Sequence, residues 1–420
     1  MTDIFTTVMD EKSDAQHTTN SSEKRVLIID DLGEMRLMLK SLMMSKGYTN
    51  IDVESSGQNA IKLILAKHYD IVLSDYNLGG SIDGQQILET TCKTYALDHS
   101  TIFIMITADT DYQSVVSVLE YQPDSYLVKP FTPAAFFRRL DRVEKQKKVF
   151  NEVNISRKKQ NFVAMEKQAT DIMTKFPHYA SLCLKIIGES LFSRHQYEEA
   201  KEHYELAIQK NENLAWAYFG IAECELKLRN PELAIVNLEK TIELSRHFLS
   251  AYDVLADAQE KLKNPKAAQE AIMAALGVSP RSIDRTQRLG QISLKIKEWN
   301  VAEQAYAKII RLTKGTYQEK VDYYYDHLKC LAGMMEHGEQ SSKIAEKFKR
   351  SLIRLRNLGK ENPVVISNSF RVEVQQYLSR ELIGEAIKSW KHWRHLIDIG
   401  QASPITEAQE ATLKKRLGVV

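Results

Sequence analysis

Five apolar runs punctuate the first third of the chain. Arg25-Val26-Leu27-Ile28-Ile29 runs into Asp30-Asp31, and Ile51-Asp52-Val53-Glu54 is shorter. Ile71-Val72-Leu73-Ser74 runs into Asp75, Thr101 to Thr107 reads TIFIMIT, and Ser125-Tyr126-Leu127-Val128 runs into Lys129-Pro130. Unbroken apolar runs of this length are the pattern of strands buried on both faces. The stretches between them carry helical spacing. Met35, Leu39, Leu42 and Met43 lie three and four apart, and Ala60, Ile61, Ile64 and Leu65 share a face within 57–67. Further helices are expected over about 83–94 and 111–120. A last one follows Thr132, which can cap it, and carries Phe136, Phe137, Leu140 and Val143. Strands and helices that alternate five times predict an α/β domain with a doubly wound, five-stranded parallel sheet over residues 24–143.

A different period governs the middle of the chain. Ala200, Ala234, Ala268 and Ala302 fall 34 residues apart. The same register holds Ile187, Ile221, Leu255 and Leu289, then Gly188, Ala222, Ala256 and Gly290, and finally Tyr204, Leu238, Ile272 and Tyr306. Small residues recur where two helices must approach closely, and large ones where they interlock. Four columns in one register predict an all-α solenoid of helix pairs over 178–316, stacked around a concave face. Asn230-Pro231 and Asn264-Pro265 fall at turns between helices.

The remaining segments have less signature. Residues 1–23 are rich in Thr, Ser and Asp and read as a flexible tail without the apolar stretch of a signal peptide. Residues 144–177 read as a basic helical linker with a partial helix pair, carrying eight Lys/Arg against four Asp/Glu. Val149, Phe150 and Val153 imply that this linker packs on something. Its clusters Lys145-Gln146-Lys147-Lys148 and Arg157-Lys158-Lys159 lack interleaved aromatics, which favours a solvated helix face over a nucleic-acid contact. Residues 317–420 stay helical but lose the 34-residue register, as a cap or degenerate repeats would. His392 and His395 have no carboxylate partner at metal-ligand spacing and read as an exposed face.

Composition narrows the classes. At 420 residues, 43% hydrophobic and 27% charged, the chain suits two or three soluble domains. A net charge of +2 gives no global field for DNA or an anionic membrane. Cys92, Cys183, Cys224 and Cys330 are scattered without a C-x-x-C pair, which suits a reducing, cytoplasmic setting. There is no run of the ~20 apolar residues that a membrane helix needs. Phosphate loops, G-x-G-x-x-G, H-E-x-x-H and G-x-S-x-G are missing from the sequence.

The candidate chemistry lies at the strand ends. In a parallel sheet Asp30, Asp31, Asp75, Thr107 and Lys129 meet on one face. Three clustered carboxylates repel one another and call for a cation, and an oxygen-only set suits Mg²⁺. An aspartate can act as a nucleophile toward phosphorus, while a lysine and a metal neutralise the transferring group.

With those residues in place, a resemblance is plain. Val26-Leu27-Ile28-Ile29-Asp30-Asp31, Leu73-Ser74-Asp75, Thr107-Ala108 and Val128-Lys129-Pro130-Phe131 resemble the motifs of the receiver domain of bacterial two-component response regulators, a flavodoxin-like fold. Tyr197-Glu198-Glu199-Ala200 and Trp299-Asn300-Val301-Ala302 resemble tetratricopeptide repeats (TPRs). The first resemblance implies that Asp75 accepts phosphate from a sensor histidine kinase or phosphotransfer protein. It implies direct Mg²⁺ ligation by Asp31, Asp75 and the backbone carbonyl of Asn77, with Asp30 acting mostly through water. It further implies that Thr107 and Lys129 contact the phosphoryl group and that Tyr126 is the switch aromatic that moves with Thr107. The chain departs from the family after the acceptor: Leu78 to Gly84 has no Pro and one extra residue. The second resemblance implies a groove that is lined by the first helices, where Lys185, Glu189, Tyr218, Tyr252 and Asp253 lie, and that binds an as yet unspecified protein. The expected function is a signalling adaptor, not an enzyme on a separate substrate, in which phosphorylation modulates binding by the array. A phosphate sink that docks its kinase, and a nucleic-acid regulator working through the linker, are the competing readings.

Overall fold

The structure is a computed structural model that describes residues 22–79, 82–94, 96–108, 123–280, 282–316, 318–338 and 341–419. The expected helix at 111–120 and the tail before residue 22 lie outside the described residues. By contacts the chain forms two compact units: residues 1–229 with 240–248, and residues 230–239 with 249–420.

The first unit opens with β1 (Arg25–Ile29), α1 (Gly33–Ser45), β2 (Asn50–Glu54), α2 (Gly57–Ala66), β3 (Ile71–Asp75), α3 (Gly84–Lys93), β4 (Ile102–Thr107), β5 (Ser125–Val128) and α4 (Pro133–Val149). The strands form one parallel sheet in the order β2-β1-β3-β4-β5. Every residue of β3 and β4 is buried, as their unbroken apolar sequences require. Val26, Ile28, Leu73 and Ile104 face a layer that holds Leu39 and Met43 of α1 and Phe136 and Leu140 of α4. Leu27, Ile29, Val72 and Phe103 face the other layer, with Ala60 and Ile64 of α2 and Ile87 of α3. The strand order reverses between β1 and β3, so the carboxyl ends of these two strands open onto a crevice.

The chain passes from α4 to α5 (Asn151–Lys158) through the single residue Phe150. The linker is helical and packed, as expected. Phe150 and Val153 are buried with Met165, Cys183, Leu184, Ile187 and Tyr204, so the segment read as a linker forms the base of the helical array. In the same unit follow α6 (Phe162–Lys175), α7 (Ala180–Ser193), α8 (Tyr197–Lys210) and α9 (Ala215–Lys227). Helix α10 (Pro231–Leu244) contributes residues to both units.

The second unit continues with α11 (Leu249–Lys261), α12 (Pro265–Val278), α13 (Ile283–Lys295), α14 (Trp299–Thr313), α15 (Val321–Glu336), α16 (Ser342–Leu358), α17 (Pro363–Ser379), α18 (Ile383–Asp398) and α19 (Glu407–Leu417). Residues 317–420 thus contribute two more helix pairs and a final helix. Helix α19 lays Leu413 and Leu417 against the cluster of Phe370, Trp390 and Trp393.

The 34-residue period also appears in the backbone. His195, Arg229, Lys263 and Lys297 all have positive φ, between 59° and 66°, at the turn between the paired helices. Gln160, Glu381 and Gly338 occupy the same place in the pairs α5/α6, α17/α18 and α15/α16. A left-handed residue there ends one helix and sends the chain back.

The small-against-large columns have a direct geometric cause. A β-carbon on Gly188 would lie 2.3 Å from the Tyr204 ring, and one on Gly290 would lie 2.6 Å from the Tyr306 ring. Both rings are buried. Gly290→Val is expected to destabilise the array by about 2 kcal/mol, since overpacking a close-packed site typically costs ~1–3 kcal/mol. Urea denaturation followed by circular dichroism measures it. An unchanged midpoint would show that the contact is slack.

Candidate functional site

The carboxyl ends of β1, β3, β4 and β5 bring five predicted residues together. Asp30 is fully buried, Asp75 nearly so, and Asp31 is exposed. Each of the three offers a carboxylate oxygen within 4.8 Å of the other two. Lys129 reaches in from the end of β5, with Nζ 2.9 Å from Asp30 Oδ2 and 3.2 Å from Asp75 Oδ2. The other Asp30 oxygen accepts the backbone N–H of Leu32 at 2.9 Å, and Arg36 donates to the Asp30 carbonyl at 2.6 Å. Asp30 is therefore locked in place, whereas Asp31 faces solvent.

Burial pushes the Asp75 carboxyl above its ordinary value. Lys129 opposes that rise, and the neighbouring Asp30 and Asp31 add to it. Burial by itself would lower the Lys129 ammonium, but the hydrogen bond to Asp30 and the charge of Asp75 outweigh it and raise it. The cluster thus carries more negative charge than one lysine neutralises. Its donor set is oxygen-only, with one carboxylate open to solvent. These residues fit a hard divalent cation that keeps several waters.

Thr107 is buried at the end of β4, and its carbonyl accepts the Lys129 N–H at 2.7 Å. Tyr126 is half-buried on β5, with the Arg139 guanidinium 5.5 Å from its ring centre. Asn77 lies exposed on the loop after β3, and its side chain accepts the Gly79 N–H at 3.3 Å. Gly80 and Ser81 of the unusual loop lie outside the described residues.

Three glycines shape this loop; sequence reading placed Gly79 in the turn after the strand but missed the roles of Gly84 and Gly57. Gly84 starts α3 against the end of β3, where a β-carbon would lie 2.3 Å from the Asp75 carbonyl oxygen and 2.8 Å from Met105 Sδ. Gly57 at the start of α2 leaves room for the Ile82 carbonyl, at 2.7 Å from where its β-carbon would stand. Gly79 has φ +63°, and its β-carbon position lies 3.0 Å from Asp31 Oδ2. The residue type was visible, but nothing local says which glycine meets another strand. Gly84→Ala is expected to destabilise the domain by about 1–3 kcal/mol, because backbone is the obstacle. It should also slow Mg²⁺-dependent modification of Asp75. Thermal denaturation and intact-mass kinetics read the two effects, and a variant that matches the parent in both would refute this role.

The groove candidates fare differently. Lys185 and Glu189 lie on α7, partly exposed, with Glu189 Oε2 2.7 Å from Arg157 Nη2. Tyr218 on α9 is half-buried. Tyr252 on α11 is buried, not groove-lining. Asp253 is held by Arg285, with Nη2 2.7 Å from Oδ2 and Nε 3.0 Å from Oδ1. A 3.6-residue period assigns a face only to within a residue, which is why Tyr252 was misplaced. Of the linker cations Lys145, Lys148, Lys158 and Lys159 are exposed, as a solvated face requires, whereas Lys147 pairs with Asp124 at 2.7 Å and Arg157 with Glu189. His392 packs its ring edge-on to Phe370.

Comparison with known proteins agrees with this architecture. Residues 26–141 match the response regulator receiver domain family, and residues 249–282 match the tetratricopeptide repeat. The chain is a receiver domain followed by tetratricopeptide repeats. Among curated relatives, chemotaxis protein CheY-3 of Vibrio cholerae serotype O1 is 29% identical over 119 residues, 28% of this chain and 90% of that protein. Chemotaxis protein CheY of Pseudomonas aeruginosa is 28% identical over 130 residues, 31% of this chain and 98% of that protein. Both likenesses are confined to the receiver. Of solved structures, the C-terminal part of a TPR repeat-containing protein from Cytophaga hutchinsonii aligns with a TM-score of 0.45 and 14% identity, over 64% of this chain and 99% of that one. MamA protein aligns with a TM-score of 0.35 and 18% identity, over 44% of this chain and 97% of that one. Among the described residues, no helix is long and apolar enough to cross a membrane.

Proposed function

We propose that this chain is a phosphorylation-controlled signalling adaptor of the bacterial cytoplasm. Asp75 accepts a phosphoryl group from a sensor histidine kinase or phosphotransfer protein, and the modification modulates how the TPR array binds a protein partner. One observation carries the reading: Lys129 bridges Asp30 and Asp75 beside an open Asp31, at the crevice where β1 and β3 part.

In this reading the Asp75 carboxylate attacks the phosphorus of a phosphohistidine. The P–O bond forms as the P–N bond breaks, and the electron pair returns to the donor imidazole, which takes up a proton. A Mg²⁺ would be held directly by Asp31, Asp75 and the Asn77 carbonyl, with Asp30 acting mostly through water, and would supply neutralising charge on the transferring group. Lys129 keeps Asp75 ionised against its burial and then turns to a phosphoryl oxygen. The Thr107 hydroxyl donates to another. The Thr107 carbonyl is bonded to the Lys129 N–H, so a shift at β4 is felt along β5, where Tyr126 lies. The receiver catalyses only its own phosphorylation and dephosphorylation, and neither DNA nor membrane is a partner.

Acetyl phosphate with Mg²⁺ tests the first half: the intact protein should gain one phosphoryl group in mass, removable by hydroxylamine. No gain sinks the acceptor. Partner capture with and without beryllofluoride tests the second half, and identical capture sinks the modulation.

A further inference from the structure

Three positive residues of the segment between receiver and array, Lys147, Arg157 and Lys158, have specific partners. Lys147, near the end of α4, places Nζ 2.7 Å from Asp124 Oδ1 and 2.8 Å from the His99 carbonyl. Asp124 immediately precedes β5, and its other carboxylate oxygen accepts the Phe103 N–H of β4 at 2.8 Å. Asn154 on α5 also donates to the His99 carbonyl, at 3.3 Å, and Lys158 approaches Asp98 at 3.5 Å. One turn of α5 away, Arg157 pairs with Glu189 on α7, while Lys185 lies beside Glu189 on the same helix. The His99 imidazole is within electrostatic reach of Lys147, Arg157, Lys185 and Glu189. On the far side of α5, Phe150 and Val153 are buried in the core of the first helix pairs.

These contacts form a chain. The loop before β4 and the start of β5 are clamped by α4 and α5, and α5 in turn holds the candidate groove residue Glu189. Lys147 touches both receiver segments. Strand β5 spans the four residues Ser125–Val128, with Asp124 just before it and Lys129, in the acidic site, just after it.

We propose that Lys147 is a positioning residue: it latches receiver and first helix pairs into one body, and β5 carries a change at Asp75 through Asp124 and Lys147 to α5 and Glu189. The signal is a rearrangement across a fixed junction, not release of a tethered domain. The coupling part rests on the phosphoacceptor reading above. The latch part does not.

The test uses the full chain with Cys92→Ser and spin labels at Lys62→Cys in α2 and Glu205→Cys in α8, both exposed positions. Electron–electron distance measurement should give a single narrow distribution. Lys147→Met should broaden it, and Lys147→Arg should restore it. A broad parent distribution, or a narrow one in Lys147→Met, overturns the latch. Adding beryllofluoride with Mg²⁺ should shift the parent distance, and the shift should be lost in Lys147→Met although the variant still binds beryllofluoride. Binding without any shift in the parent overturns the coupling. If the parent binds no beryllofluoride, the phosphoacceptor reading fails, while the distance widths still judge the latch.

Discussion

Asp75→Asn is expected to abolish Mg²⁺-dependent phosphoryl acceptance and, in the same protein, to raise the thermal stability of the receiver at neutral pH. The two effects share a cause. Burial, aided by Asp30 and Asp31, holds the Asp75 carboxyl above its ordinary value of 3.8. A carboxyl whose value is raised by folding favours the folded state fully below 3.8, and that contribution is lost as pH rises through the raised value. At pH 7 the charged Asp75 therefore works against folding. Asn removes the charge and the nucleophile together, while Lys129 keeps its partner Asp30. The gain in melting temperature should vanish when both proteins are compared below pH 3.8. Mg²⁺ gives the complementary signal: a ligand at 100 times its Kd adds about 2.7 kcal/mol to a folded state. That increment should be present in the parent and strongly reduced in Asp75→Asn. A variant that is less stable than the parent at pH 7 would mean that Asp75 is a structural anchor, not a strained functional group.

The largest stability effect is expected in the second unit, at Glu303. This buried carboxylate on α14 accepts from His327 Nε2 at 3.1 Å and from Lys347 Nζ at 2.8 Å, while His327 Nδ1 meets Ser351 Oγ at 2.8 Å. The hydrogen bond from His327 outweighs burial and, with Lys347, holds Glu303 down to about 2. A carboxyl lowered by folding contributes stability above its unfolded value of 4.5, lost as pH falls toward 2. At about 1.36 kcal/mol per pH unit, that gap is worth on the order of 3 kcal/mol. Glu303→Gln should therefore unfold in less urea than the parent at pH 7, and the difference should shrink steadily between pH 4.5 and pH 2. A pH-independent difference would mean that packing at residue 303 matters and its charge does not.

How much of this was legible from residues alone follows from the range of the interactions. Strand and helix types, the five strand-end residues and the 34-residue register are local patterns, set by periodicity and by which side chains suit a buried sheet or a close helix approach. The linker was read as helical and packed, but its ion pairs stayed hidden, because Lys147 and Arg157 find their partners far along the chain, at Asp124 and at Glu189. No spacing rule signals such a pair. Tyr252 was placed in the groove because helical phase cannot say how deeply the next helix covers a given face. The Glu303–His327–Ser351 chain has one residue on each of three successive helices and no motif at all.

The sequence by itself determined a doubly wound sheet with carboxylates, hydroxyl and lysine at its strand ends, and a solenoid with columns of small and large residues in a 34-residue register. These follow from apolar runs that demand burial on both faces of a strand, from the 3.6-residue helical period and from the 34-residue repeat. The tertiary structure alone decided that Lys129 bridges Asp30 and Asp75, that Gly84 lets α3 press on the Asp75 carbonyl, and that α4 runs into the array through Phe150. Those depend on which distant groups are brought within about 3 Å, the reach of a hydrogen bond. Only the packed chain sets that distance.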